Sequence, residues 1–164
     1  MQTNLRWKKG LFSSSYDIYL NDKQIGKLKN NTFSQTADGE LNGKKYTFKT
    51  EGFFNQHTEI IDNLENKVIG KITYNNWMTK ATIIVNTKII NWKYDNLWNT
   101  EWSIFNYEGI NIKYSGSSTN GQIYSNVDDE LLLLSGLFVT NYYWQMTIAV
   151  LVAVFVPIWM TSLN

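Results

Sequence analysis

The chain has no cysteine, one histidine, one proline and, after Glu130, no charged residue at all. Each absence removes a class of function. Without cysteine there are no disulfides, no thiolate chemistry and no Cys-ligated zinc or iron–sulfur centre. With His57 as the single histidine, a His-rich metal site is excluded and a hydrolase triad lacks partners, since no nucleophile elbow occurs. Gly116 and Gly121 sit in a Ser/Thr/Asn-rich turn without the strand–loop–helix frame of a phosphate cradle. The 15 basic and 14 acidic residues leave a net charge of +1, which gives no general attraction to nucleic acid. The N-terminus through Lys9 lacks an apolar stretch and a small-residue cleavage site, so no signal peptide is expected. The expected class is a non-catalytic protein without cofactor or metal, in the cytoplasm or at the cytoplasmic face of a membrane.

What is present, up to residue 127, is β-type patterning. Runs rich in β-branched and aromatic residues alternate with turn signals at intervals of roughly ten residues, the signature of an all-β sandwich or barrel. The pattern predicts about twelve strands: 5–9, 14–20, 24–29, 32–37, 44–50, 58–62, 68–74, 80–85, 88–94, 102–106, 111–114 and 122–125. In the fifth, Tyr46, Phe48 and Thr50 face one way while Lys45, Thr47 and Lys49 face the other. Asn42-Gly43 is a type I′ hairpin signal, because both central residues take positive φ. One pattern occurs twice, a strand–turn–strand unit ending Ile25-Gly26-Lys27 and again Ile69-Gly70-Lys71. A glycine inside a strand points to a bulge or a close backbone approach.

The charge-free C-terminus opens with Leu131-Leu132-Leu133-Leu134. Just before it, Ser125 with Asp128 has capping-box spacing, and Asp128, Asp129 and Glu130 favour the N-terminal dipole of a helix. A helix over 129–160 is about 48 Å long, whereas a barrel of six- or seven-residue strands is some 20–25 Å tall. The helix therefore divides. Its first part, with Leu131, Leu132, Leu133, Leu134, Leu137 and Phe138, has the length to fill a barrel lumen. A polar and aromatic interruption over 140–145 separates it from an apolar run over 146–160. Tyr142 to Trp159 covers about 27 Å, near the hydrocarbon thickness of a bilayer. Tyr142, Tyr143 and Trp144 at one end and Trp159 at the other stand where aromatic belts stand, with Val150, Leu151 and Phe155 between. The expected organisation is a barrel with a central helix over 1–145 and an apolar extension over 146–164. That extension enters a membrane, folds back, or pairs in a homo-oligomer.

About twelve strands followed by a hydrophobic helix, the two Ile-Gly-Lys hairpins and the exit Asp128-Asp129-Glu130-Leu131-Leu132-Leu133-Leu134-Ser135-Gly136-Leu137-Phe138 together resemble the tubby C-terminal-like superfamily. That group includes tubby proteins, phospholipid scramblases and LURP-one-related proteins. The resemblance implies a closed twelve-stranded antiparallel barrel around a hydrophobic C-terminal helix, over about residues 5–145. It also implies lipid or membrane association. No headgroup-binding residue is carried over, and the scramblase features of a proline-rich leader, palmitoylated cysteines and a calcium-binding segment are absent.

The candidate lipid-headgroup contacts are Arg6, Trp7, Lys8 and Lys9, where three cations surround an aromatic, and Lys44 and Lys45 after a tight turn. The alternatives are a solvated first strand and edge protection by lysine. Trp77-Met78 is either a hairpin tip that dips into a membrane or a segment folded onto the barrel. Trp92, Trp98 and Trp102 read as wall packing, with carbohydrate stacking as the sharper alternative. The expected function is a lipid- or membrane-associated binding or scaffolding barrel. The alternatives are a soluble interaction module with a buried C-terminus, and an apolar-ligand carrier of lipocalin type.

Overall fold

The computed structural model describes residues 2–11, 13–31, 35–52 and 56–162, with side chains through Phe155. Its strands are β1 (Thr3–Lys9), β2 (Ser15–Leu20), β3 (Lys23–Asn31), β4 (Thr36–Leu41), β5 (Lys44–Glu51) and β6 (His57–Asp62). They continue as β7 (Lys67–Tyr74), β8 (Lys80–Val85), β9 (Lys88–Tyr94), β10 (Glu101–Phe105), β11 (Asn111–Gly116) and β12 (Asn120–Ser125). Each pairs antiparallel with the next, and β12 closes on β1, so no edge is left open. The helix α1 (Glu130–Ser162) follows.

Period-two patterning decides which residues line the lumen. Leu5, Trp7, Ile18, Phe48, Ile60, Ile104 and Tyr114 point inward and are buried. Three connections at one end of the barrel are two-residue turns with positive φ at both positions: Asn21-Asp22, Asn42-Gly43 and Asn86-Thr87. Asn42-Gly43 is the turn expected from sequence. The two Ile-Gly-Lys hairpins carry the same irregularity. Ile18 pairs with Gly26 and Tyr19 with Gln24, leaving Ile25 as the extra residue; Ile60 pairs with Gly70 and Ile61 with Val68, leaving Ile69. A side chain at Gly70 would meet the Ile84 carbonyl oxygen at 2.7 Å, so the neighbouring strand comes too near for anything but glycine.

The expected strand over 32–37 is displaced to Thr36–Leu41, and residues 32–34 lie outside the described set. Asp38-Gly39-Glu40 reads as a turn in the sequence. In the barrel Gly39 stays in the strand because α1 passes over it: a Cβ there would stand 3.1 Å from Leu134 and 3.3 Å from Phe48. Tertiary contact overrides local propensity.

The helix runs through the lumen. Leu131, Leu132, Leu133, Leu134, Leu137, Phe138 and Val139 are all buried, with Leu134 and Leu137 wholly inaccessible. Phe138 stacks on Phe48 with ring centroids 4.5 Å apart. The Tyr114 hydroxyl, deep in the wall, donates to the Leu132 and Leu133 carbonyls at 3.2 Å, and burial pushes its pKa well up. Trp92 Nε1 donates to the Gly136 carbonyl at 3.3 Å. The cap is Asp129, whose Oδ1 accepts from Leu132 N at 3.0 Å, while Ser125 closes a local turn with Val127. The capping-box pairing of Ser125 with Asp128 is thus replaced by a cap at Asp129. An open ligand cavity of the lipocalin kind has no room in this lumen.

Candidate functional site

Because the barrel is antiparallel, its connections fall into two sets. At the proximal end, where α1 begins, lie the tight turns and the 126–129 segment. At the distal end, where α1 leaves, β1, β3, β5, β7, β9 and β11 end, so the connections that follow them belong to this set, 75–79, 95–100 and 117–119 being described throughout. From Glu130 to Tyr143 the helix rises about 21 Å, one barrel height.

Aromatic and amide side chains form the distal mouth. Tyr142 stacks on Tyr74 with centroids 4.0 Å apart, and its hydroxyl donates to Gln56 Oε1. The Tyr143 hydroxyl donates to the Lys80 carbonyl. Lys9 Nζ donates to Asn141 Oδ1 at 3.0 Å and lies over the Tyr16 ring, and burial lowers the Lys9 pKa. One residue further on the helix is uncovered. Trp144 is 49 % exposed, and Ile148, Val150, Leu151, Val152, Val154 and Phe155 are all exposed, with Phe155 at 62 %. They occupy somewhat more than half of the helix circumference and the exposed Ala149 and Ala153 lie on the rest, so the emerging segment has no continuous polar face. Thr140, just before the mouth, donates to Gly136 O and Thr147, just beyond it, to Tyr143 O, each at 2.9 Å.

Beside the emerging helix lies a groove of about 390 Å³ lined by Trp7, Lys9, Tyr16, Trp98, Trp102 and Trp144, among others, with no carboxylate in its walls. The buried indole N–H groups of Trp7 and Trp102 and the Asn141 amide N–H₂ have no acceptor. Those three groups are sealed from solvent, so the groove offers a ligand the Lys9 ammonium without a carboxylate in its walls, which suits phosphate or ester oxygens and not a cation.

The headgroup candidates do not form one patch. Trp7 is 2 % exposed and packs in the lumen against Tyr16 and Trp102, so it is no surface contact. Lys8 faces outward, and Arg6 is bonded to Asp22 of a proximal turn. Lys9 turns into the distal mouth. Lys44 and Lys45 stand at the proximal end: Lys44 Nζ binds Glu130 Oε2 at 2.8 Å, and Lys45 pairs with Glu40 at 3.8 Å. Of the aromatics expected at membrane edges, Tyr142 and Tyr143 belong to the mouth and Trp144 is the first exposed. The Trp159 side chain lies outside the described set.

Glu51, His57 and Glu59 bring ligand atoms within 4.8 Å of one another on the outside of β5 and β6. Lys49 Nζ already binds Glu51 at 2.6 Å, and that pair occupies the carboxylate.

No protein-family model, curated protein or solved structure matches the chain. The architecture and the distal mouth therefore carry the functional reading by themselves.

Two distal loops differ from, or decide between, the alternatives the sequence offers. Trp98, expected in the wall, is 86 % exposed, and Trp77 is 85 % exposed with only Met78 turned toward the core. The signal that could have found them is a repeat: Asn75-Asn76-Trp77-Met78-Thr79 and Asn96-Leu97-Trp98-Asn99-Thr100 share the spacing Asn-x-Trp-x-Thr. Trp92 and Trp102 are buried, as wall packing requires.

Proposed function

We propose that this protein is a non-catalytic β-barrel anchored in a lipid bilayer by the distal half of α1, with a binding or scaffolding role at the membrane surface. The observation that carries the reading is the abrupt change at Tyr143–Trp144. A helix that is buried for one barrel height continues as apolar surface on which, among the described residues, only Met146 still packs against the barrel. From Trp144 to Ser162 the helix measures about 28 Å, close to the roughly 30 Å hydrocarbon core of a bilayer. A helix apolar on every side dissolves in lipid, whereas pairing of two tails covers only one stripe of each. The resemblance to the tubby C-terminal-like superfamily supports the same reading, since it implies lipid association. The groove beside Lys9, with no carboxylate in its walls, opens at the level where lipid headgroups lie in this arrangement.

The test is membrane fractionation of the full chain beside a variant lacking 147–164. The full chain is expected in the membrane pellet after alkaline extraction, and the shortened chain in the supernatant with its barrel intact. Full-length protein in the soluble fraction, at the size of a detergent-free dimer, contradicts the anchor and favours a soluble module with paired tails.

A further inference from the structure

The two ends of the barrel differ in a way the anchor alone does not require. Among the six distal connections the only charged residue is Asp95, while the proximal set holds Asp22, Glu65, Glu108, Asp128 and Asp129. The distal connections carry Leu11, Trp77, Leu97 and Trp98, which are 74 %, 85 %, 98 % and 86 % exposed; the proximal set also exposes Leu64 and Tyr107, but beside its acids and without a tryptophan. Their sequence also includes Phe12, Phe33, Phe53 and Phe54, whose placement lies outside the described residues.

Trp77 and Trp98 are held out by the same device. Asn75 Oδ1 accepts from the backbone N–H groups of Thr79 and Lys80, both at 2.9 Å, and its Nδ2 donates to Thr79 Oγ1 at 3.0 Å. Asn96 repeats all three bonds, accepting from Thr100 N at 3.0 Å and Glu101 N at 3.4 Å and donating to Thr100 Oγ1 at 2.8 Å. In both loops the backbone N–H of the residue after the tryptophan bonds back to the asparagine carbonyl, and that residue has positive φ: Met78 at 54° and Asn99 at 56°. Two neighbouring loops therefore spend a locked side chain and an unfavourable backbone conformation on presenting an indole to the outside. An indole on a stiff loop, with an apolar body and one N–H, is the side chain that settles at a membrane–water interface.

Resting on the anchor reading, we propose that the distal rim is a second membrane contact: the loops carrying Trp77, Leu97 and Trp98 insert into the interfacial zone of the bilayer that takes the tail. Continuity identifies the occupant. Trp98 and Trp144 line one groove, so the rim loops and the emerging helix share a surface. The barrel then stands with its distal end down and its acidic proximal turns toward water, fixed against tilting and not swinging on a single helix.

Because the chain has no cysteine, single-cysteine variants report one site each. Trp77→Cys and Leu97→Cys probe the distal rim, Leu64→Cys and Tyr107→Cys the proximal rim, and Val150→Cys the tail; the four rim residues are 85 % exposed or more, so the fold tolerates replacement. Each full-length variant carries an environment-sensitive dye and is reconstituted into phosphatidylcholine vesicles containing brominated lipid. The expected result is quenching and a blue shift at 77, 97 and 150, with neither at 64 and 107. Quenching at 150 with dyes at 77 and 97 as unquenched as those at 64 and 107 overturns the rim contact and leaves the anchor standing. An unquenched dye at 150 overturns the anchor and the rim contact with it.

Discussion

Gly136→Ala separates a threaded helix from a free one by the sign of its effect. In a helix exposed to solvent or lipid the change replaces the poorest non-proline helix former by the best, a gain of about 0.8–1 kcal/mol. In this barrel a methyl at 136 collides with Tyr114, standing 2.7 Å from Cε2 and closer still to Cζ and the hydroxyl. Tyr114 has nowhere to go, since it is fully buried and its ring stacks on Trp102 at 7°. Overpacking of this kind costs about 1–3 kcal/mol. Pushing the hydroxyl off the Leu132 and Leu133 carbonyls adds about 1–3 kcal/mol for a buried phenol left without an acceptor. Set against the propensity gain, the net loss is about 1–5 kcal/mol. Urea unfolding in mild detergent, followed by near-ultraviolet circular dichroism, measures it. Gly136→Ala combined with Tyr114→Ala removes the obstacle, so the double variant is expected to lose less than the sum of the single losses. A Gly136→Ala protein as stable as the parent, or more so, refutes the threading.

Other parts of the structure make separate predictions. Thr87 is a β-branched residue at φ 72°, so Thr87→Gly is expected to raise unfolding stability by about 0.5–1 kcal/mol, and a loss of stability contradicts the turn geometry. Desolvation raises the Glu130 carboxyl, but hydrogen bonds from Lys44 and Asn42 outweigh it and hold the group below the usual carboxylate range. A depressed folded value means the stabilisation is complete above about pH 4.3, the unfolded glutamate value, and is lost as pH falls through the folded one. Glu130→Gln is therefore expected to be less stable at pH 7 and to lose less on acidification, as thermal melts from pH 7 to 3 would show. Asn75→Ala with Asn96→Ala removes the bonds that fix the two tryptophan loops, at about 0.5–1.5 kcal/mol for each bond lost, and is expected to speed proteolysis at 75–79 and 95–100; unchanged cleavage contradicts their locking role.

Strand number and the division of α1 follow from features local in sequence; closure, which pairs β1 with β12, does not, and is implied only by the family resemblance. Alternation in β5, the Asn42-Gly43 turn and the charge-free run after Glu130 each state their structure without reference to the rest of the chain. One failure depends on a distant partner. β4 hides behind Asp38-Gly39-Glu40 because its glycine answers to Leu134, nearly a hundred residues away in the chain. Trp7 resembles a surface aromatic among cations, yet alternation places Trp7 with Leu5 inside and Arg6 and Lys8 outside. Nor does the sequence say how the two basic strands lie to one another: Lys9 closes the distal mouth while Lys44 stands at the proximal end. Trp98 reads as wall because tryptophan is core by default, while Trp77 reads equally as an exposed tip; the paired asparagine bonds go with the exposed position of both.

The account stands on the environment of α1 changing once, at Tyr143–Trp144. A single-cysteine scan from 131 to 155 in lipid vesicles, read by spin-label accessibility to oxygen and to a water-soluble nickel chelate, follows that environment residue by residue. The expected profile is inaccessibility to both probes through 143, then oxygen accessibility on every face from 144 onward with exclusion of the chelate. A profile beyond 144 that alternates every three or four residues, or that admits the chelate throughout, contradicts the account. The first shows a helix packed against protein, and the second a helix in water.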